Sequence, residues 1–179
     1  MALGATLYNF EITLNDSDRG VYEALDFKAA RHPSETGEYL IARVLSYCLE
    51  YTEGLAFSKG GLSDPDVPAL AVRDLTGTLK RWIEIGTPEP ARLHKASKSG
   101  ARVVVYSHKD VAQLLARLAA EPVHKRDAIE IHGFDPKFIA ALVARLDRRM
   151  RFDLTVSEGH LYVSIGSDSL VGELARHRA

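Results

Sequence analysis

An α/β chain built on a mixed sheet is predicted by three features of the 179-residue sequence. Strand-like runs and helix-period runs alternate through the middle of the chain, which is the signature of βαβ units. One run, "ARVVVYS", is apolar on both faces, the pattern of a strand buried in a parallel sheet. Both ends carry period-two runs separated by turn clusters, as hairpins do.

At the start, "ATLYNFEITL" reads as a strand, "NDSDRG" as a turn and "VYEALDFKAARH" as the returning strand, giving a hairpin over residues 1–32. "SETGEYLIARVLSYCLEY" is helical, because Leu40, Ile41, Val44, Leu45, Cys48 and Leu49 recur at spacings of three and four. Ser34 is its expected N-cap, and Glu35 and Glu38 fall in its expected first turn, where the helix dipole favours acids. "GLAFSKG" is a short strand and "GLSDPDVP" a loop. "ALAVRDL" and "TLKRWIEIG" form two strands about Thr76-Gly77, a pairing that sets Ala69 opposite Glu84 and Leu79 opposite Asp74. A helix over residues 90–98 stops at Ser99-Gly100. After "ARVVVYS" come a helix in "KDVAQLLARLAA", a strand in "AIEIHG", a helix in "PKFIAALVARLDRR" and a closing hairpin about Glu158-Gly159. The expected architecture is a single domain over 1–179, with an α-β-β-β-α-β core in 33–132 and a helix and hairpin in 133–179.

Composition narrows the function classes. The hydrophobic content of 46% suffices for one well-buried core. Lys+Arg is 23 against Asp+Glu 24, so the net charge of -1 exerts no global pull on nucleic acid. Cys48 stands alone, which excludes an internal disulfide and a thiolate zinc site, and its place on the apolar helix face makes it core. "MALGATLYNFEITL" has no basic segment before its apolar stretch, and no apolar run reaches the roughly 20 residues that span a bilayer, so a cytoplasmic protein without a membrane partner is expected. HExxH, Walker, GxGxxG and GxSxG patterns are all absent, and Gly60-Gly61 is too slight for a phosphate cradle.

Glu84 stands out within the apolar run "RWIEI", because a bare carboxylate there would cost several kcal/mol to bury without a partner. Asp66, about three positions past Ala69, can curl toward it. Two such acids a few Å apart supply oxygen ligands to a hard divalent cation, and a nearby lysine can stabilise developing charge. The same residues admit a plainer reading. Glu84 and Lys95 then form a structural ion pair, Asp64-Pro65-Asp66 is turn chemistry, and Arg92, Lys95 and Lys98 are one solvated helix face.

The strings "MALGATLYNFEITLNDSDRGVYEALDFKAARHPSET", "GLSDPDVPAL" and "LKRWIEIGTPEPARLHKASK" together resemble the YaeQ family, from Met1 to about Tyr106 and more loosely through the closing hairpin. That resemblance implies a fold similar to the PD-(D/E)XK, restriction-endonuclease-like superfamily. It further implies Mg²⁺ or Mn²⁺ bound by Asp66 and Glu84, with Glu35 as an auxiliary ligand, Ser34 or Glu38 nearby, Lys95 as charge stabiliser, and Arg92 and Lys98 on backbone phosphates. The pattern's lysine, two residues after the second acid, is replaced by Gly86. Two functions follow as expectations: a divalent-metal-dependent phosphodiester hydrolase, or a non-catalytic module that binds nucleic acid or protein.

Overall fold

A computed structural model describes residues 4–59, 64 and 66–179, so Gly60, Gly61 and Pro65 lie outside the described residues. Strands β1 (Thr6–Asp16) and β2 (Val21–Arg31) form the expected first hairpin, paired antiparallel along their whole length. Helix α1 (Gly37–Leu49) follows, then β3 (Leu55–Phe57), β4 (Leu70–Arg73) and β5 (Leu79–Ile85). The chain continues through α2 (Pro90–Lys98), β6 (Arg102–Ser107), α3 (Val111–Ala120), β7 (Glu130–Phe134) and α4 (Pro136–Val143). It closes with β8 (Arg149–Ser157), β9 (His160–Ile165) and β10 (Asp168–Arg178). The ten strands among the described residues join one mixed sheet in the order β2-β1-β8-β9-β10-β7-β6-β5-β4-β3. The α-β-β-β-α-β succession read from the sequence is present as α1-β3-β4-β5-α2-β6.

Helix α1 is buried on nearly all sides: Arg43 and Ser46 are covered along with its apolar residues. The reason lies in the curl of the sheet. Phe27 of β2 and Phe57 of β3 belong to the strands at opposite ends of the strand order, yet their ring centroids lie 5.9 Å apart. Tyr47 of α1 meets Phe27 at 4.4 Å and Phe57 at 4.8 Å. The sheet thus wraps almost into a barrel with α1 inside it, and the main core forms between them. Helices α2 and α3 cover the opposite face of β5, β6 and β7, where Trp82, Val103 and Val105 pack on Leu93, Ala96, Leu114 and Leu118. Buried on both faces, β6 is parallel to β5 and β7, as its apolar run predicts.

Several expectations are corrected. Thr36, not Ser34, caps α1: its hydroxyl accepts from the Tyr39 amide at 3.1 Å, whereas Ser34 lies two positions too early and bonds His32 instead. Glu35 therefore precedes the helix, and only Glu38 occupies its first turn. Ala69 opposite Glu84 agrees with the Leu70↔Ile83 register, but Leu79 pairs with Arg73 because a bulge interrupts the ladder after Val72. Asp74 turns instead into the loop, where Oδ1 accepts from the amides of Thr76 and Thr78. Helix α4 ends at Val143, well short of its expected extent, since Arg149 already begins β8. The closing hairpin is a three-stranded meander, and its unforeseen last strand β10 pairs with both β9 and β7, joining the two halves of the sheet.

Candidate functional site

Glu84 lies one residue before the end of β5 and is 4% exposed. Alternation along the strand sends it to the same side as Trp82, two residues back. Its Oε1 accepts from Trp82 Nε1 at 2.6 Å and from Arg92 Nε at 2.8 Å. Arg92 sits in the first turn of α2, which Pro88 and Pro90 aim back across the strand end. The rest of its guanidinium is committed to the preceding loop: Nη1 donates to the Asp64 carbonyl at 2.8 Å and Nη2 to the Val67 carbonyl at 2.5 Å. Burial pushes the Glu84 carboxyl up in pKa, and Arg92 opposes that shift.

A second acid–arginine pair lies across the same cleft. Glu35 Oε2 accepts from Arg43 Nη2 at 3.1 Å, and the same nitrogen reaches the Ala30 carbonyl at 2.6 Å. The Arg43 guanidinium also stands over the Phe57 ring at 5.4 Å. Burial raises the pKa of Glu35 as well, with Arg43 as the chief opposing charge.

Between the two pairs opens a cleft of about 390 Å³. It is lined by the turn from Ile85 to Pro88 past the carboxyl end of β5 and by His108-Lys109 past the end of β6. Ser34, Glu35 and Thr36 ahead of α1 also line it, with Tyr39 and Arg43 from the helix itself. The carboxyl ends of parallel strands are where open α/β sheets hold their ligands. Gly86 makes the turn possible with a φ of +86°, and its amide donates to the Tyr106 carbonyl at 2.9 Å. A lysine at this position would have to adopt the left-handed conformation that side chains disfavour, so the turn accounts for glycine where the resemblance implies lysine.

Of the residues singled out in the sequence, Ser34, Glu35, Glu84 and Arg92 line this cleft. Asp66 and Lys95 do not; they form an ion pair with each other, both more than half exposed. Glu38 and Lys98 are exposed and also lie outside the lining. The partner of Glu84 is thus Arg92 rather than Lys95. Among the described residues, no group of three or more His, Cys, Asp or Glu side chains is placed to hold a metal ion. Glu35 and Glu84 each face an arginine, so the donors present do not form the oxygen cage that Mg²⁺ or Mn²⁺ requires. The residues that sequence reasoning passed over are Tyr39, Arg43, His108 and Lys109. His108-Lys109 directly follow the most strongly apolar strand, a position that marks the ligand end of a parallel sheet.

Comparison with known proteins places this geometry in a family. Proteins named YaeQ from Escherichia coli strain K12 and Salmonella typhi are each 29% identical to this chain over 171 residues, which cover 95% of it and 94% of the relative. The crystal structure of the YaeQ protein from Pseudomonas syringae matches with a TM-score of 0.88 at 31% identity, over 98% of this chain and 97% of that one. That of the YaeQ protein from Xanthomonas axonopodis pv. citri matches with a TM-score of 0.81 at 30% identity, over 98% and 99%. The family model described as YaeQ protein matches residues 1–173, and the chain belongs to the YaeQ family.

Proposed function

We propose that this chain is a nucleic-acid-binding module, built on a scaffold similar to the PD-(D/E)XK nucleases, whose cleft recognises phosphate rather than hydrolysing a phosphodiester. The scaffold reading is supported by the α1-β3-β4-β5-α2-β6 succession, with an acid near the end of the third strand of that core. The single observation that carries the non-catalytic reading is the lock on Glu84. Where a nuclease would aim its second acid at a metal ion, this carboxylate accepts from Trp82 and Arg92 instead. Freeing it for a cation would strand a guanidinium that also holds the Asp64 and Val67 carbonyls.

Two measurements on one preparation test this. Fluorescence anisotropy with labelled single- and double-stranded DNA and RNA is expected to show binding that weakens steeply between about 50 and 200 mM salt. The strands are expected to stay intact with Mn²⁺ present, and calorimetric titration with Mn²⁺ to give no saturable heat. Saturable Mn²⁺ binding that Glu84→Ala abolishes, together with strand cleavage, would overturn the non-catalytic reading in favour of a hydrolase. Absence of nucleic-acid binding at low salt would point to a protein partner instead.

A further inference from the structure

The two arginines that line the cleft are already neutralised, Arg92 by Glu84 and Arg43 by Glu35. Lys109 is different. It lines the same cleft, and no ion pair engages it among the described residues. Among the described residues, three cations and two carboxylates line the cleft, which leaves one positive charge unmatched. Two nitrogens of the lining residues also lack hydrogen-bond partners among the described residues. Arg43 is 8% exposed, and its Nε is buried without a hydrogen bond although the side chain faces the cleft. His108 Nδ1 is likewise buried and unsatisfied. A buried N–H without an acceptor is unfavourable, and native structures almost always satisfy it with a neighbour, a water or a ligand. An unmatched cation, with an unspent guanidinium N–H behind it, favours an oxyanion in the cleft.

Building on the nucleic-acid reading for its choice of ligand, we propose that Lys109 is the phosphate-binding cation of this cleft. Arg92 and Lys98 do not fill that role. Every nitrogen of the Arg92 guanidinium is already donating to protein, and Lys98 lies outside the cleft. Free phosphate, a mononucleotide and a strand phosphate present the same oxyanion, and the test separates them.

The first arm is a ¹⁵N–¹H titration of the full chain with inorganic phosphate, against potassium chloride at equal ionic strength. Phosphate is expected to shift the amides of Gly86, Thr87 and Lys109 saturably, and chloride is not. Lys109→Ala, a change on the surface, is expected to weaken phosphate binding about tenfold, in line with loss of one charge-assisted hydrogen bond. Lys98→Ala is expected to leave it unchanged. The second arm is anisotropy with an oligonucleotide, where Lys109→Ala is expected to lower the salt slope by about one. Cleft shifts absent from the wild type, or equal in Lys109→Ala, would overturn the assignment. If phosphate binds through Lys109 but no strand does, this inference stands and the nucleic-acid reading falls. If a strand binds and Lys109→Ala changes neither affinity nor slope, the reverse holds.

Discussion

Glu84 shows how one side chain can be tolerated where its neighbours forbid it. Ile83 and Ile85 face the main core, while the carboxylate is closed in on the other side by Trp82 and the first turn of α2. What makes burial tolerable is that two donors converge on a single oxygen, one of them charged. Removing one partner of such a pair is more damaging than never having built it, because the other charge stays buried. Glu84→Ala is therefore expected to lower unfolding free energy by about 3–5 kcal/mol in urea titrations. Glu84→Gln keeps an acceptor for Trp82 and Arg92 and should lose distinctly less. The carboxyl was marked in the sequence as needing a partner, yet which cation would reach it was not legible. Arg92 and Lys95 are one helical turn apart, and the choice rests on the Asp64 and Val67 carbonyls, whose positions come from the fold of the loop.

Elements differ in how far the sequence alone marks them, for physical reasons. Helix α2 lies where Pro90 and Ser99-Gly100 bracket it, because those residues control the backbone locally. Strand β10 left little trace, since only Gly172 along it is fully buried and its exposure does not alternate cleanly. That glycine is there for a neighbour: a Cβ on it would lie 2.6 Å from the Cβ and Cγ of Phe138 on α4. Gly172→Ala must push α4 off the sheet, with an expected loss of about 1–3 kcal/mol measured by thermal or chemical unfolding. The cleft shows the same limit. Glu35 and Glu84 were legible as acids near strand or helix ends, whereas Lys109 matters only once β6 is known to run parallel to β5.

At the scale of the molecule, the curl of the sheet links its rim to the cleft. Phe57 on β3 touches Phe27 on β2, Tyr47 on the enclosed helix and the guanidinium of Arg43. Phe57→Ala is expected to reduce stability by up to about 3 kcal/mol, the low end for a phenylalanine deletion, because the ring is only partly covered. Amide hydrogen exchange should accelerate in β2 and β3 while β8 and β9 stay protected. Strands β5 and β6 are braced separately, by Glu50 accepting from Arg81 at 2.9 Å, Arg102 at 3.0 Å and Tyr106 at 2.6 Å. The seam between β1 and β8 has a consequence for biogenesis. These parallel partners are separated by more than a hundred residues of chain. At a translation speed of roughly 5–20 residues per second, the nascent first hairpin waits on the order of ten seconds before its mate emerges from the ribosome. For that interval one flank of β1 is an open template, and crowded polysomes are where this protein is most exposed to pairing with the wrong chain.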